Sequence, residues 1–172
     1  MSKVDPFAVD WSEEQTAVMQ HLRDWAVTFA ELNQHLASWM SLPGSDANAL
    51  SQIIWAAEEG EPLSPADLSR RIGMTTGSTA VLLNRLEAAG HISRSREHAD
   101  RRRVTLRPEA GARERAHGFF AVAGTEVAEV VLATPSEDLR QMVAFLERIT
   151  AASVQANSRF HTSKEAHQPS RT

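Results

Sequence analysis

Five arginines, Arg94, Arg96, Arg101, Arg102 and Arg103, fall within ten residues, and Asp100 stands among them. Guanidinium groups at this density are planar, permanently charged forks that suit phosphate oxygens or a narrow groove of negative potential. The Asp100 carboxylate can hold Arg102, pre-aiming its fork and lowering the entropy lost on contact. Chemistry of the bond-making kind finds no comparable set. The seven histidines (His21, His35, His91, His98, His117, His161 and His167) show no tight ligand spacing, and there is no cysteine to act as ligand, nucleophile or redox switch. A nucleophile turn, a glycine-rich phosphate loop and a metal-ligand run are all missing, so the sequence argues against an enzyme and calls for no cofactor and no metal. The expected chemistry is recognition.

An arginine cluster alone is most often a solvated hairpin, so the elements around it decide. Ser64–Arg107 reads as two short helices, a turn and a hairpin. Ser64 and Pro65 open a helix over Pro65–Ile72, which Gly73 ends and Met74 plugs. Thr75 or Thr76 caps the next helix, which runs to about Ala89 with Gly90 as its stop. Ile92–Ser95 and Arg103–Leu106 are strand candidates, and Arg96–Arg102 bridges them as a wing. On a helical wheel Thr79, Leu82, Leu83 and Leu86 share the core side, whereas Gly77, Ala80, Val81, Asn84 and Ala88 share the other. That outer face is small and mildly apolar where a solvated helix would carry Lys and Glu. It suits close approach to base edges: Asn84 can bond adenine, and Ala80 or Val81 can touch a thymine methyl. Thr76 and Ser78 suit phosphate oxygens, as do the amides of the first turn. Arg85 lies on the flank, able to reach the backbone or pair with Glu87 or Asp100. The DNA-facing set is therefore Thr75, Thr76, Gly77, Ser78, Ala80, Val81, Asn84, Arg85, Arg94, Arg96, Asp100, Arg101, Arg102 and Arg103. A second reading keeps the winged helix as a protein-contact module, an anti-repressor or adaptor using the same small apolar face.

Charge sets this segment apart. The chain carries a net −4, but Ser64–Arg107 carries +5, between −8 over residues 1–63 and −1 over residues 108–172. A basic module is thus hidden between acidic flanks. The chain is 172 residues long and 42 % hydrophobic, an ordinary composition for one globular core. It has no apolar run near the roughly 18–20 residues that span a bilayer and no secretory block at its start, so no membrane partner and a cytoplasmic location are expected.

The flanks read as helices. A first helix spans about Ser12 to Met40, with Ser12 and Gln15 able to form a capping box. Val18, Leu22, Trp25, Phe29, Leu32, Leu36 and Trp39 step along it as a strict heptad seam. A second helix near Ala47–Glu58 turns Leu50, Ile53, Ile54 and Ala57 inward. Pro108 opens a long helix with Phe119, Phe120, Ala123, Val127, Val130 and Val131 facing in. Thr134-Pro135-Ser136 breaks it, and a last helix follows from about Ser136 to Asn157 with Leu139, Met142, Val143, Leu146 and Ile149 on one face. The polar tail, residues 161–172, reads as disordered.

Ile72-Gly73-Met74-Thr75, the run from Asn84 to Arg94, and Asp100-Arg101-Arg102-Arg103-Val104-Thr105-Leu106 resemble the MarR family (multiple antibiotic resistance regulators) in its reading helix, helix exit and wing. The motifs occupy about Leu63–Gly111. The chain departs from the family pattern at Leu106-Arg107-Pro108, where a Leu-Thr-x-x-Gly step is usual, and at Val81, where a polar or basic residue is usual. The resemblance implies a mainly α fold with a small β-hairpin wing: a winged helix-turn-helix plus a helical dimerisation domain formed by the N- and C-terminal helices. The expected organisation is a dimerisation helix over 1–46, the winged helix over 47–107, dimerisation helices over 108–160 and a tail over 161–172. The two long apolar faces support a homodimer independently. The function implied is a sequence-specific transcriptional regulator, by family habit a repressor, on a double-stranded pseudo-palindromic operator with half-sites about 10 bp apart. A small aromatic or amphiphilic effector would release it, entering a pocket to which His21, Trp25, Phe29, Trp55 and Phe119 contribute.

Overall fold

The computed structural model describes residues 5–96 and 104–166, with side chains to Phe160. Helix α1, Glu13–Met40, starts where the sequence places it. Ser12 Oγ accepts from the Gln15 amide at 3.2 Å and Gln15 Oε1 accepts from the Ser12 amide at 3.0 Å, so two otherwise unpaired donors are satisfied together. Helix α2, Gly44–Glu58, begins earlier than expected, because Pro43 can occupy the cap position and Asp46 then falls in the first turn. Its buried face is Leu50, Ile53, Ile54 and Ala56; Ala57, expected inside, is only half-buried.

Helices α3, Pro65–Ile72, and α4, Thr76–Ala88, form the helix-turn-helix. Ser64 and Asp67 make a second capping box around Pro65. Gly73 ends α3 at φ 66°, a left-handed conformation that a side chain would strain. Buried Ser69 fastens the turn: its hydroxyl donates to the Met74 carbonyl at 2.7 Å, and the Met74 amide returns to the Ser69 carbonyl at 3.1 Å. Strands β1, Ile92–Ser95, and β2, Thr105–Pro108, pair antiparallel with Ile92 opposite Pro108 and Ser95 opposite Thr105. The second strand therefore sits two residues later than expected. Pro108 is its buried last residue and does not start the next helix. The Glu109 amide donates to the His91 carbonyl, and α5, Ala110–Ala123, starts behind it. Leu106 also donates its amide to the Leu63 carbonyl at 2.8 Å, which ties the hairpin to the α2–α3 loop.

One core unites these elements. Leu36 and Met40 of α1, Leu50, Ile53 and Ile54 of α2, Leu68 of α3, Leu82, Leu83 and Leu86 of α4, Ile92, Leu106, Ala112, Ala116 and Phe119 are all buried. The indole of Trp39 donates to the Arg115 carbonyl, and Arg115 Nη2 donates back to the Trp39 carbonyl, both at 3.0 Å, locking α1 to α5.

Residues Met1–Ala123 form one compact unit and Gly124–Thr172 a second. The second contains α6, Thr125–Ala133, and α7, Ser136–Ala166. The single long helix expected from Pro108 to Thr134 is therefore two, because Gly124, the poorest helix former short of proline, occupies the cap of α6. Val127, Val130 and Val131, expected inside, are exposed, and no residue of α6 is buried. Helix α7 continues to Ala166, so residues 161–166 are helical where a disordered tail was expected; 167–172 lie outside the described residues. No single helix among the described residues is long and apolar enough to cross a membrane.

Two groups in the first unit have testable energetics. The Thr79 hydroxyl is buried in α4 with no hydrogen-bond partner among the described residues. Replacing it by an isosteric methyl removes a desolvated polar atom, and valine keeps the β-branched shape. Thr79→Val is expected to hold or raise stability, by as much as about 1 kcal/mol in urea unfolding; a clear loss would show that the hydroxyl has a partner. His91, at the exit of α4, has its pKa lowered by burial and then by the charge of Arg115. The unfolded chain therefore takes up this proton first. The stability His91 contributes is complete above its unfolded value, about 6.5, and falls as pH drops through the window down to its folded value. His91→Gln should flatten the unfolding midpoint against pH in that window; parallel curves for both proteins would refute the assignment.

Candidate nucleic-acid interface

The outer face of α4 emerges as the wheel places it. Thr79, Leu82, Leu83 and Leu86 are buried, and Gly77, Ala80, Val81, Asn84 and Ala88 are exposed. Val81 is 57 % exposed, an apolar β-branched group on a helix face that carries no lysine and no carboxylate between Gly77 and Asn84. Three core leucines pull the helix against α2, and the small residues opposite leave its backbone accessible to a close partner. At its N-terminus Thr75 Oγ1 accepts from the Ser78 amide at 3.2 Å and donates its own proton to Ser78 Oγ at 2.9 Å. Thr75 is thus a cap as well as a candidate contact, and exposed Thr76, Gly77 and Ser78 surround the positive end of the helix dipole.

The arginines divide into those held by the fold and those left for a partner. Among the described residues Arg85 pairs with Asp46 and not with Glu87. Its Nε donates to Asp46 Oδ2 at 3.0 Å and its Nη2 to Asp46 Oδ1 at 2.6 Å, a bidentate clamp across to α2. Asp46 is 2 % exposed. The hydrogen bond first, and then the charge of the carboxylate, raise the Arg85 pKa above its ordinary value. The clamp was invisible in the sequence because the partners are 39 positions apart and no local spacing links them. Arg94, expected on the nucleic-acid backbone, is ion-paired with Glu87 and also donates to Asn84 Oδ1 at 2.9 Å. Arg70 is ion-paired with Asp67. Arg71 and Arg96 have no ion pair among the described residues, and Arg96 is exposed at the end of β1. Asp100, Arg101, Arg102 and Arg103 lie outside the described residues.

The five residues expected to share an effector pocket do not converge. Trp25 and Phe29 stack on each other on α1 at 5.7 Å, and Trp25 is 51 % exposed, with His21 exposed one turn before. Trp55 instead meets Phe120 at 5.0 Å, and Phe120 meets buried Phe119 at 5.4 Å, which in turn meets Trp39 at 6.1 Å. Trp39 and Phe120 thus belong with Trp55 and Phe119. The adjacent pair Phe119-Phe120 was the available signal, since neighbours on a helix sit about 100° apart and can reach two different helices.

Residues 42–103, which hold α2, the helix-turn-helix and the first strand, match the MarR family. That segment is similar to the winged helix of the family. Over 135 residues it is 27 % identical to YcgE, an HTH-type transcriptional regulator of Bacillus subtilis, covering 78 % of this chain and 85 % of that one. Among solved structures it is similar to Staphylococcus aureus MepR in its DNA-binding conformation, with a TM-score of 0.62, 16 % identity, and coverage of 78 % of this chain and 97 % of MepR. It is also similar to the transcriptional regulator BldR of Sulfolobus solfataricus, with a TM-score of 0.56, 22 % identity, and coverage of 84 % and 99 %. At these identities the structural likeness speaks for the fold, which is the MarR-type arrangement of helices around a two-stranded wing.

The Asp46–Arg85 clamp gives the helix-turn-helix module its own test. Arg85→Ala strands a buried carboxylate, whereas Asp46→Ala leaves a guanidinium that is half in solvent. Both variants are expected to unfold at lower temperature than the wild type. The double variant is expected to be more stable than the sum of the two losses predicts, as groups in direct contact require. Strict additivity in a thermal or urea double-mutant cycle would show that the pair contributes nothing.

Proposed function

We propose that the protein is a DNA-binding transcriptional regulator that acts as a homodimer in the cytoplasm, with one α4 in each half-site of a pseudo-palindromic operator. The observation that carries this reading is the exposed, small, weakly apolar face of α4 beside its capped N-terminus, on a MarR-family module. The DNA contacts proposed from the described residues are Thr75, Thr76, Gly77, Ser78, Ala80, Val81, Asn84 and Arg96. Those proposed from the sequence are Asp100, Arg101, Arg102 and Arg103. Arg85 and Arg94 act by holding the reading helix and its side chains. Repression, the family's commoner habit, is the proposed sign of control.

Exposed apolar side chains support the dimer. Helix α1 presents Val18, Trp25 and Phe29 to solvent, and α7 presents Met142, Val143, Leu146 and Val154. Stripes of this kind on long helices are covered in stable proteins, and a second copy of the chain is the proposed cover. A small amphiphilic effector would bind against the Trp39, Trp55, Phe119 and Phe120 cluster, where aromatic faces lie next to the α2 wall of the module. A coupling of about 1–3 kcal/mol would change DNA occupancy about 5–150-fold.

Selection from a randomised duplex pool, followed by titration at several salt concentrations, tests the reading. The expected result is a two-half-site palindrome bound by a dimer, with affinity falling steeply with salt at about 0.9 per neutralised phosphate. Arg102→Ala should weaken binding across sequences and lower that slope by about 1. Salt-insensitive association with no selected duplex would overturn the regulator in favour of a protein-contact module.

A further inference from the structure

Asn84 stands at the centre of the exposed face of α4, and its amide is already engaged. Arg94 of β1 is ion-paired through Nη1 with Glu87 Oε2, and its Nη2 donates to Asn84 Oδ1 at 2.9 Å. A guanidinium has donors and no acceptor, so the amide atom facing it must be the oxygen. The orientation of Asn84 is therefore fixed by chemistry: Oδ1 is turned to Arg94, and Nδ2 is the end left for a partner. Glu87 lies one turn beyond Asn84 on the same helix and holds the guanidinium in place, so the three residues form a relay from carboxylate to guanidinium to amide.

Adenine recognition by asparagine uses both ends of the amide, with Oδ1 accepting from N6 and Nδ2 donating to N7. Here Arg94 takes one of the two lone pairs of Oδ1 and sets its positive charge beside that end, which disfavours a second N–H donor there. A group whose N–H donors are free and whose acceptor is weakened matches an edge that offers only acceptors, and guanine presents two adjacent ones, N7 and O6, in the major groove. Cytosine offers N4–H₂ and is mismatched. We propose that Glu87 and Arg94 are positioning residues that bias Asn84 from reading adenine toward reading guanine through its N–H donors. This rests on the DNA-binding reading above and names the base that its central contact prefers. It also accounts for an arginine of the hairpin being spent on a helix side chain and not on phosphate.

The test is duplex selection with the full-length wild type, Asn84→Ala, Arg94→Ala, Glu87→Ala and Glu87→Gln. The position whose preference Asn84→Ala erases identifies the base pair read. The wild type is expected to select G·C there by roughly tenfold or more over A·T, and 7-deazaguanine at that position is expected to lose most of this preference. Arg94→Ala frees Oδ1 and should bring A·T to within about twofold of G·C, with preferences at the other positions kept. Glu87→Ala should move the same way, and Glu87→Gln, which retains an acceptor for Arg94, should stay close to wild type. A·T at the Asn84-dependent position in the wild type, or an unchanged G·C preference in both Arg94→Ala and Glu87→Ala, would overturn this inference and leave the regulator standing. Selection of no duplex by the wild type would overturn both.

Discussion

The reading helix of this protein is useful only while it is held at a fixed angle and depth, and a single buried carboxylate contributes to holding it. Asp46 sits in the first turn of α2, almost inaccessible to water, and grips Arg85 of α4 with both oxygens. Burying a carboxylate is costly unless charge and hydrogen bonds compensate. The helix N-terminus, the Ser45 hydroxyl and the Arg85 fork all do so here. The three leucines behind α4 provide non-directional burial that would tolerate rotation about the helix axis. A bidentate pair does not tolerate it, because both of its bonds are lost by a small turn. The apolar face sets how firmly α4 is bound to the module, and the clamp sets which way it faces.

Charge bookkeeping on the module changes once those partners are known. From composition, Ser64–Arg107 is a basic segment of net +5. Among the described residues, however, Arg70, Arg85 and Arg94 are each paired with a carboxylate. Their charge is largely cancelled before any partner arrives. Among the described residues, the charge left for a polyanion is chiefly that of Arg71 and Arg96, and the sequence adds the Arg101–Arg103 run. In the DNA-binding reading proposed above, these arginines would supply positioning contacts and the nearly neutral face of α4 the base contacts.

The sequence displays its local physics and hides its long-range pairings. The capping boxes at Ser12 and Ser64, the left-handed Gly73, and the split of α4 into a Thr79-Leu82-Leu83-Leu86 core and an open opposite face all depend on spacings of a few residues, and spacing is visible in a sequence. The break at Gly124 was readable in principle, but a long apolar run on both sides outweighed one glycine. The extension of α7 to Ala166 was not, because polar residues give no periodic signal while backbone i→i−4 bonds continue to form. The pairings that spacing did not show were those with distant partners: Arg85 with Asp46, and Arg94 with Glu87 and Asn84. Long charged side chains reach several elements, so position on a wheel does not say which carboxylate they choose. The aromatic contacts were hidden for the same reason, since Trp25 and Trp55 belong to separate ring contacts that only the packing of helices distinguishes.

A reading helix clamped on one side by Asp46–Arg85 and stiffened on the other by Glu87–Arg94 has little freedom to adapt to a sequence. Its discrimination must come from fit, because a mismatched base leaves a pre-aimed amide without a partner and no rearrangement is available to rescue it. The same stiffness constrains regulation. An effector that merely touched α4 would find no soft local state to select, and a ligand shifts an equilibrium only by its differential affinity for two existing states. In the dimer proposed above, the adjustable quantity would therefore be the separation and tilt of the two modules. A small change there would move both reading helices out of register with successive grooves while the internal pairs of each module stay intact. Rigidity within the module and compliance outside it are, on this argument, two requirements of one mechanism.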